Sequence, residues 1–199
     1  MNFSSNFISA TLLFLLTACS PEQRFKNVEI TDSQSFGKDF HLEDPDGAVR
    51  TLADFRGKVV VMFFGYAMCP DVCPTTLTDI HRAIKALGPQ ADKVQVLFVT
   101  VDPKRDTASV LKQYASAFDL RFLGLRPKDD TDLAKLAKDF KIQYKKIPGT
   151  TPGSYMMAHP AGSYAFDPEG HLRLYINHAN GPDALAHDLK ALLNETAKP

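Results

Sequence analysis

Val59-Val60-Val61-Met62-Phe63-Phe64 is an unbroken apolar run that leads, through Gly65 and Tyr66, into two cysteines four positions apart, Cys69 and Cys73. A run of this length without alternation predicts a strand buried on both faces, as in a parallel sheet. Such a strand delivers a pair of thiols to the end of the sheet, just ahead of a helix. Pro74 disfavours helical backbone at Cys73 and suits a first helical position itself. Both cysteines are therefore expected in the loop, with the helix opening near Pro74. Two sulfurs at this spacing can share one side of a turn, close a small disulfide, or face one metal ion. Free amides and the dipole at a helix start favour thiolate over thiol. A thiolate is both the nucleophile of disulfide exchange and a soft ligand for copper(I) or zinc. A structural disulfide, or two cysteines packed as small hydrophobes, is the competing reading. So short a loop removes little chain entropy when closed, so reactivity explains the pair better.

The rest of the chain alternates around that strand. Phe40-His41-Leu42 and Val49-Arg50-Thr51-Leu52 flank the turn signal Asp44-Pro45-Asp46-Gly47 and predict a hairpin. After the cysteines, Leu77, Ile80, Ile84 and Leu87 fall on one stripe of a helix ending near Leu87. Val94 to Val101 is a second buried strand, and Asp106 or Thr107 can cap a helix running to about Phe118. A short strand from Arg121 to Leu125 and a helix from Asp129 to Phe140 follow, the helix acidic at its start and basic later. Pro148-Gly149 and Pro152-Gly153 make Ile142 to Tyr155 an extended hairpin or flap. Ser163 to Phe166 and Leu172 to Ile176, joined by Asp167-Pro168-Glu169-Gly170, form a closing hairpin, and Pro182 to Asn194 is the last helix. This order is α/β and of the thioredoxin type. An N-terminal β-hairpin and an extended hairpin insertion before the last two strands are added to it.

Ahead of the domain, Met1 to Ala18 has the short apolar core of a signal peptide, although no Lys or Arg precedes it. Leu16-Thr17-Ala18-Cys19 is similar to a bacterial lipobox, in which Cys19 is lipidated and becomes the mature N-terminus. A short uncleaved anchor is the alternative, and both place the domain in the cell envelope outside the cytoplasm. Residues 19–38 are read as a tether and 39–199 as the folded domain, with Val28 to Thr31 able to form a short strand. With 23 basic and 23 acidic residues the formal charge is zero, so no electrostatic footprint for nucleic acid is present. The clusters Lys104-Arg105 and Lys145-Lys146 are expected on solvated faces.

Three stretches in order carry a family resemblance. Phe64-Gly65-Tyr66 followed by Cys69-Pro70-Asp71-Val72-Cys73-Pro74-Thr75-Thr76-Leu77 is similar to the hallmark of the Sco (SenC) family of copper-handling thioredoxin-like proteins. Val101-Asp102-Pro103-Lys104-Arg105-Asp106-Thr107 resembles that family's second motif. Met157-Ala158-His159, then Tyr164-Ala165-Phe166-Asp167-Pro168-Glu169-Gly170, resembles its third. The resemblance implies that Cys69, Cys73 and His159 bind copper, with Asp102 and Asp106 in support. It implies a metallochaperone for the copper-site subunit of a respiratory cytochrome c oxidase, lipid-anchored and facing the periplasm. Another copper chaperone or a thiol reductase would be a further partner. Two thiolates and an imidazole suit copper(I) and, with an added ligand, copper(II).

The family usually has Thr-His before the first cysteine and Asp before the histidine. Here Ala67-Met68 and Ala158 stand instead, which leaves His159 with a different hydrogen-bond partner or a looser one. Met68, Met156 and Met157 are soft and near the motifs, and are expected in core packing rather than in contact with copper(I). His41, His81, His171, His178 and His187 show no ligand spacing with the thiols and are read as structural.

Other functions compete. Cys69 and Cys73 could cycle as a thiol–disulfide oxidoreductase on the oxidase's copper-ligand cysteines, leaving His159 dispensable. Val72-Cys73-Pro74-Thr75 superficially resembles a peroxiredoxin site, but Pro70 stands where that family places Thr. Copper scavenging without delivery is a further reading. A structural zinc site would want a fourth ligand.

Overall fold

The computed structural model describes residues 24–31 and 36–195. The segment expected to be a signal peptide and the expected lipidation site, Cys19, lie outside the described residues. Among the described residues, ten strands and four α-helices follow one another as β1 (Val28–Glu29), β2 (Leu42–Glu43), β3 (Val49–Arg50), β4 (Val59–Gly65), α1 (Val72–Ala86), β5 (Val94–Thr100), α2 (Ala108–Ser116), β6 (Leu123–Leu125), α3 (Asp130–Asp139), β7 (Lys145–Pro148), β8 (Tyr155–Ala158), β9 (Ser163–Phe166), β10 (Leu172–Ile176) and α4 (Gly181–Glu195).

The main sheet has the order β1-β10-β9-β4-β5-β6. Strand β4 is central, parallel to β5 with Val59 opposite Val94 and Gly65 opposite Thr100, and antiparallel to β9. All seven of its residues are buried, which is why its sequence is apolar without alternation. Helix α1 packs against α4, and α2 lies on β6. That last approach needs Gly124: a Cβ there would fall 2.9 Å from the Leu111 carbonyl oxygen. Phe64, Phe140 and Tyr164 form an aromatic cluster with centroids 5.4 to 6.2 Å apart. The Tyr164 hydroxyl donates to the Phe140 carbonyl at 2.7 Å, joining the end of α3 to β9. Burial pushes the Tyr164 phenol up to about 12.

The expected N-terminal hairpin is β2–β3, and the insertion is the hairpin β7–β8, which forms a two-stranded sheet of its own. Two boundaries differ from expectation. Helix α1 opens at Val72, not near Pro74, so Cys73 lies in its first turn. Proline this early deletes only an amide that has no helical partner, so the helix tolerates it. Part of the segment read as a tether, residues 25–30, packs on the domain. Phe25 and Asn27 are buried, and Val28 and Glu29 pair with Tyr175 and Leu174. Asp188 of α4 holds this segment, accepting from the Lys26 amide at 2.7 Å and from the amide and side chain of Asn27 at 2.8 and 2.9 Å. Among the described residues no helix is long and apolar enough to cross a membrane.

Candidate metal centre

The end of β4 sets the first half of the site. The Gly65 carbonyl accepts from the Val101 amide at 2.8 Å, keeping the two parallel strands in register to their ends. The chain then turns, with the Cys69 amide donating to the Tyr66 carbonyl at 3.2 Å. Asp106, fully buried, braces this turn: its Oδ2 accepts from the Ala67 amide at 3.0 Å and from the Thr100 hydroxyl at 2.6 Å. Burial pushes the Asp106 carboxyl up, against those two hydrogen bonds.

Cys69 and Cys73 are free thiols, the first half-buried and the second fully buried. The Cys73 amide donates to Cys69 Sγ at 3.4 Å, which puts that sulfur at the amide end of α1. Gly65 makes space for the other sulfur, since a Cβ on it would fall 2.9 Å from Cys73 Sγ. The expected helix-start preference for thiolate does not prevail at Cys73. Burial pushes its thiol well above the usual range, with the neighbouring Cys69 adding to the effect.

His159 follows β8 directly and supplies the second half. Its Nδ1 lies 2.9 Å from the Pro160 carbonyl oxygen, which can only accept, so Nδ1 carries the proton and Nε2 presents its lone pair. This carbonyl is the acceptor that replaces the missing neighbouring Asp. Nε2 faces Cys73 Sγ at 3.4 Å. The ring is edge-on to Phe63 and Tyr66, with centroids at 6.1 and 5.9 Å. Burial pushes the imidazole pKa down, favouring the neutral form that a ligand must have. Cys69 Sγ, Cys73 Sγ and a His159 ring nitrogen all lie within 4.8 Å of one another.

The other sequence candidates divide. Asp102 and Asp106 touch the site's supports, not its centre. Asp102 pairs with Arg105 and accepts from the Tyr155 hydroxyl at 2.9 Å. Arg105 is not on a solvated face: its side chain is 22% exposed. No sequence signal separated it from Lys104, which is exposed and paired with Asp130. Core packing fails as a reading for Met68 and Met156, which are 64% and 52% exposed; Met157 alone packs partly against the core. His81 pairs with Asp119 at 3.1 Å, His178 with the Thr76 hydroxyl at 2.9 Å, and His187 with Asp188 at 2.9 Å. His171 joins a second close group with Asp167 and Glu169. There Asp167 is already engaged by the His171 amide and by Arg173, as in a closed turn.

The fold and the paired thiols facing one imidazole define a thioredoxin-like domain with a candidate three-ligand site of soft character. The SCO1/SenC family model matches residues 28–194, and the chain belongs to that family. It is 32% identical over 154 residues to the mitochondrial protein SCO2 homolog of Bos taurus, covering 76% of this chain and 58% of that one. The chain thus spans less than two thirds of that relative. It is 31% identical over 170 residues to a SCO2-like protein of Rickettsia felis, covering 84% and 81%. Among solved structures, Bradyrhizobium japonicum ScoI with copper bound superposes with a TM-score of 0.72 at 39% identity, covering 79% of this chain and 99% of that one.

Proposed function

We propose that Cys69, Cys73 and His159 hold copper and that the domain carries it to, or prepares, the dinuclear copper site of a respiratory cytochrome c oxidase. The observation that carries this reading is the convergence of two sulfurs and an imidazole nitrogen within 4.8 Å, although His159 stands 86 positions beyond Cys73. The donor set fits copper: thiolates and an imidazole are what a soft monovalent ion takes, and a three-ligand centre leaves a position through which a recipient can enter. The copper-bound relative from Bradyrhizobium japonicum supports the same cargo. The protein's own part is to surrender the Cys73 proton, keep His159 neutral and hold both against apolar walls. Lipidation at Cys19 would keep the domain at the envelope membrane where such an oxidase is assembled.

Copper titration of the reduced mature protein tests this. Stoichiometric binding is expected, with a large loss in each of Cys69→Ala, Cys73→Ala and His159→Ala. Affinity that survives all three substitutions would falsify the copper site.

A second reading rests on the unequal burial of the thiols. Cys69, the more accessible, would attack a disulfide between the oxidase's copper-ligand cysteines. Cys73 would then resolve the mixed disulfide, leaving those cysteines reduced and Cys69–Cys73 oxidised, to be restored by a thiol reductase. A His159→Ala chain that still supports oxidase assembly in full favours this reading over copper delivery.

A further inference from the structure

We propose that Arg105 is the positioning residue of the metal centre: it clamps the β7–β8 hairpin, and with it His159, to the loop that braces the two thiols. The need for a clamp follows from topology. The hairpin pairs only within itself and adds no strand to the main sheet. Two strands alone are marginal in water, so side chains must dock them. The thiols need no such help, since β4, α1 and Asp106 hold them from the core.

Arg105 reaches the hairpin in two ways. Its Nη1 donates to the Tyr155 carbonyl at 2.8 Å, and its guanidinium carbon lies 3.6 Å from the centroid of the Tyr155 ring. The same guanidinium is 5.6 Å from the Tyr66 ring, the ring that stands edge-on to His159. Asp102 aligns it through Nε, and the other Asp102 oxygen accepts from the Tyr155 hydroxyl. The adjacent residue, Asp106, holds the Ala67 amide of the cysteine turn. One loop, residues 102–106, therefore grips both halves of the centre. A planar fork that hydrogen-bonds and stacks at once is specific to arginine; lysine offers only a point charge.

The proposal takes from the copper reading only its ligands, and its first test needs no metal. In the metal-free protein, proton nuclear Overhauser contact between the His159 and Tyr66 rings is expected, and Arg105→Ala should abolish it while thermal melting stays cooperative. In the copper(II)-loaded protein, Arg105→Ala should weaken the imidazole nitrogen coupling in electron spin-echo spectra while thiolate-to-copper absorption persists. Affinity should fall by about 10–100-fold, the usual scale for losing a residue that orients a ligand. Arg105→Lys should restore little of either signal. An Arg105→Ala protein that folds and keeps both the ring contact and the nitrogen coupling overturns the proposal. If that variant does not fold, Arg105→Lys decides instead: it keeps the charge but loses the fork that bonds the Tyr155 carbonyl and stacks on its ring, so an unchanged ring contact there is equally fatal. Loss of ring contact in a protein that never shows nitrogen coupling would sink the copper reading and leave the clamp standing.

Discussion

Gly65 and Cys73 approach so closely that a methyl group on the first would sit 2.9 Å from the sulfur of the second. The same methyl would lie 2.8 Å from the Phe98 ring, so it cannot relieve the contact by shifting toward that ring. Gly65→Ala is expected to cost about 1–3 kcal/mol as overpacking. Copper affinity should fall as well, because Cys73 must turn from His159. Denaturant unfolding and copper titration of the same variant measure the two losses.

Asp188 ties the N-terminal segment to α4 through three hydrogen bonds to Lys26 and Asn27. Asp188→Ala leaves those buried donors unmatched and is expected to destabilise the domain by about 2–4 kcal/mol. A chain truncated to begin at Asp39 should show a comparable loss. A truncated chain with an unchanged unfolding midpoint would restore the tether reading of that segment.

Asp119 supplies a pH-dependent contribution. The Arg121 guanidinium hydrogen-bonded to it holds its carboxyl well below the usual range, against a smaller opposing effect of burial. A depressed folded value means stabilisation above the unfolded value of about 4 and progressive loss as pH falls below it. Asp119→Asn should therefore cost about 1 kcal/mol at pH 7, with Arg121 partly exposed and the pair screened accordingly. The gap between the two proteins should narrow in melts taken at successively lower pH; a constant gap contradicts the assignment.

Tyr164→Phe removes the donor to the Phe140 carbonyl and leaves that oxygen buried. A loss of about 1–2 kcal/mol is expected by denaturant unfolding, with the ring packing retained. Copper binding should be unchanged, because the bond joins α3 to β9 and does not touch the centre.

Much of this was legible in the residues. The run from Val59 to Phe64 reads as a doubly buried strand and forms one, and the cysteine spacing with His159 in its motif picks out three side chains that converge. The early start of α1 was not legible, because Pro74 argues locally against helix at Cys73 and tertiary packing decides otherwise. The surroundings of Cys73 were half legible for a related reason: a helix dipole is visible in sequence, but the depth of burial that opposes it is not. Asn27 and Asp188 are 161 positions apart, so nothing near either predicts their bond. Arg105 looked like half of a solvated pair, since its stacking partner Tyr155 lies 50 residues on.

The outer margins of the main sheet carry a consequence for behaviour at high concentration. On one side the last strand, β1, is two exposed residues long and ends in a glutamate. On the other, β6 has three residues, and the next backbone groups at Arg126 are already spent on Glu43. Little unpaired ladder is left for a stray chain to add to, so these molecules should resist linking sheet to sheet when crowded.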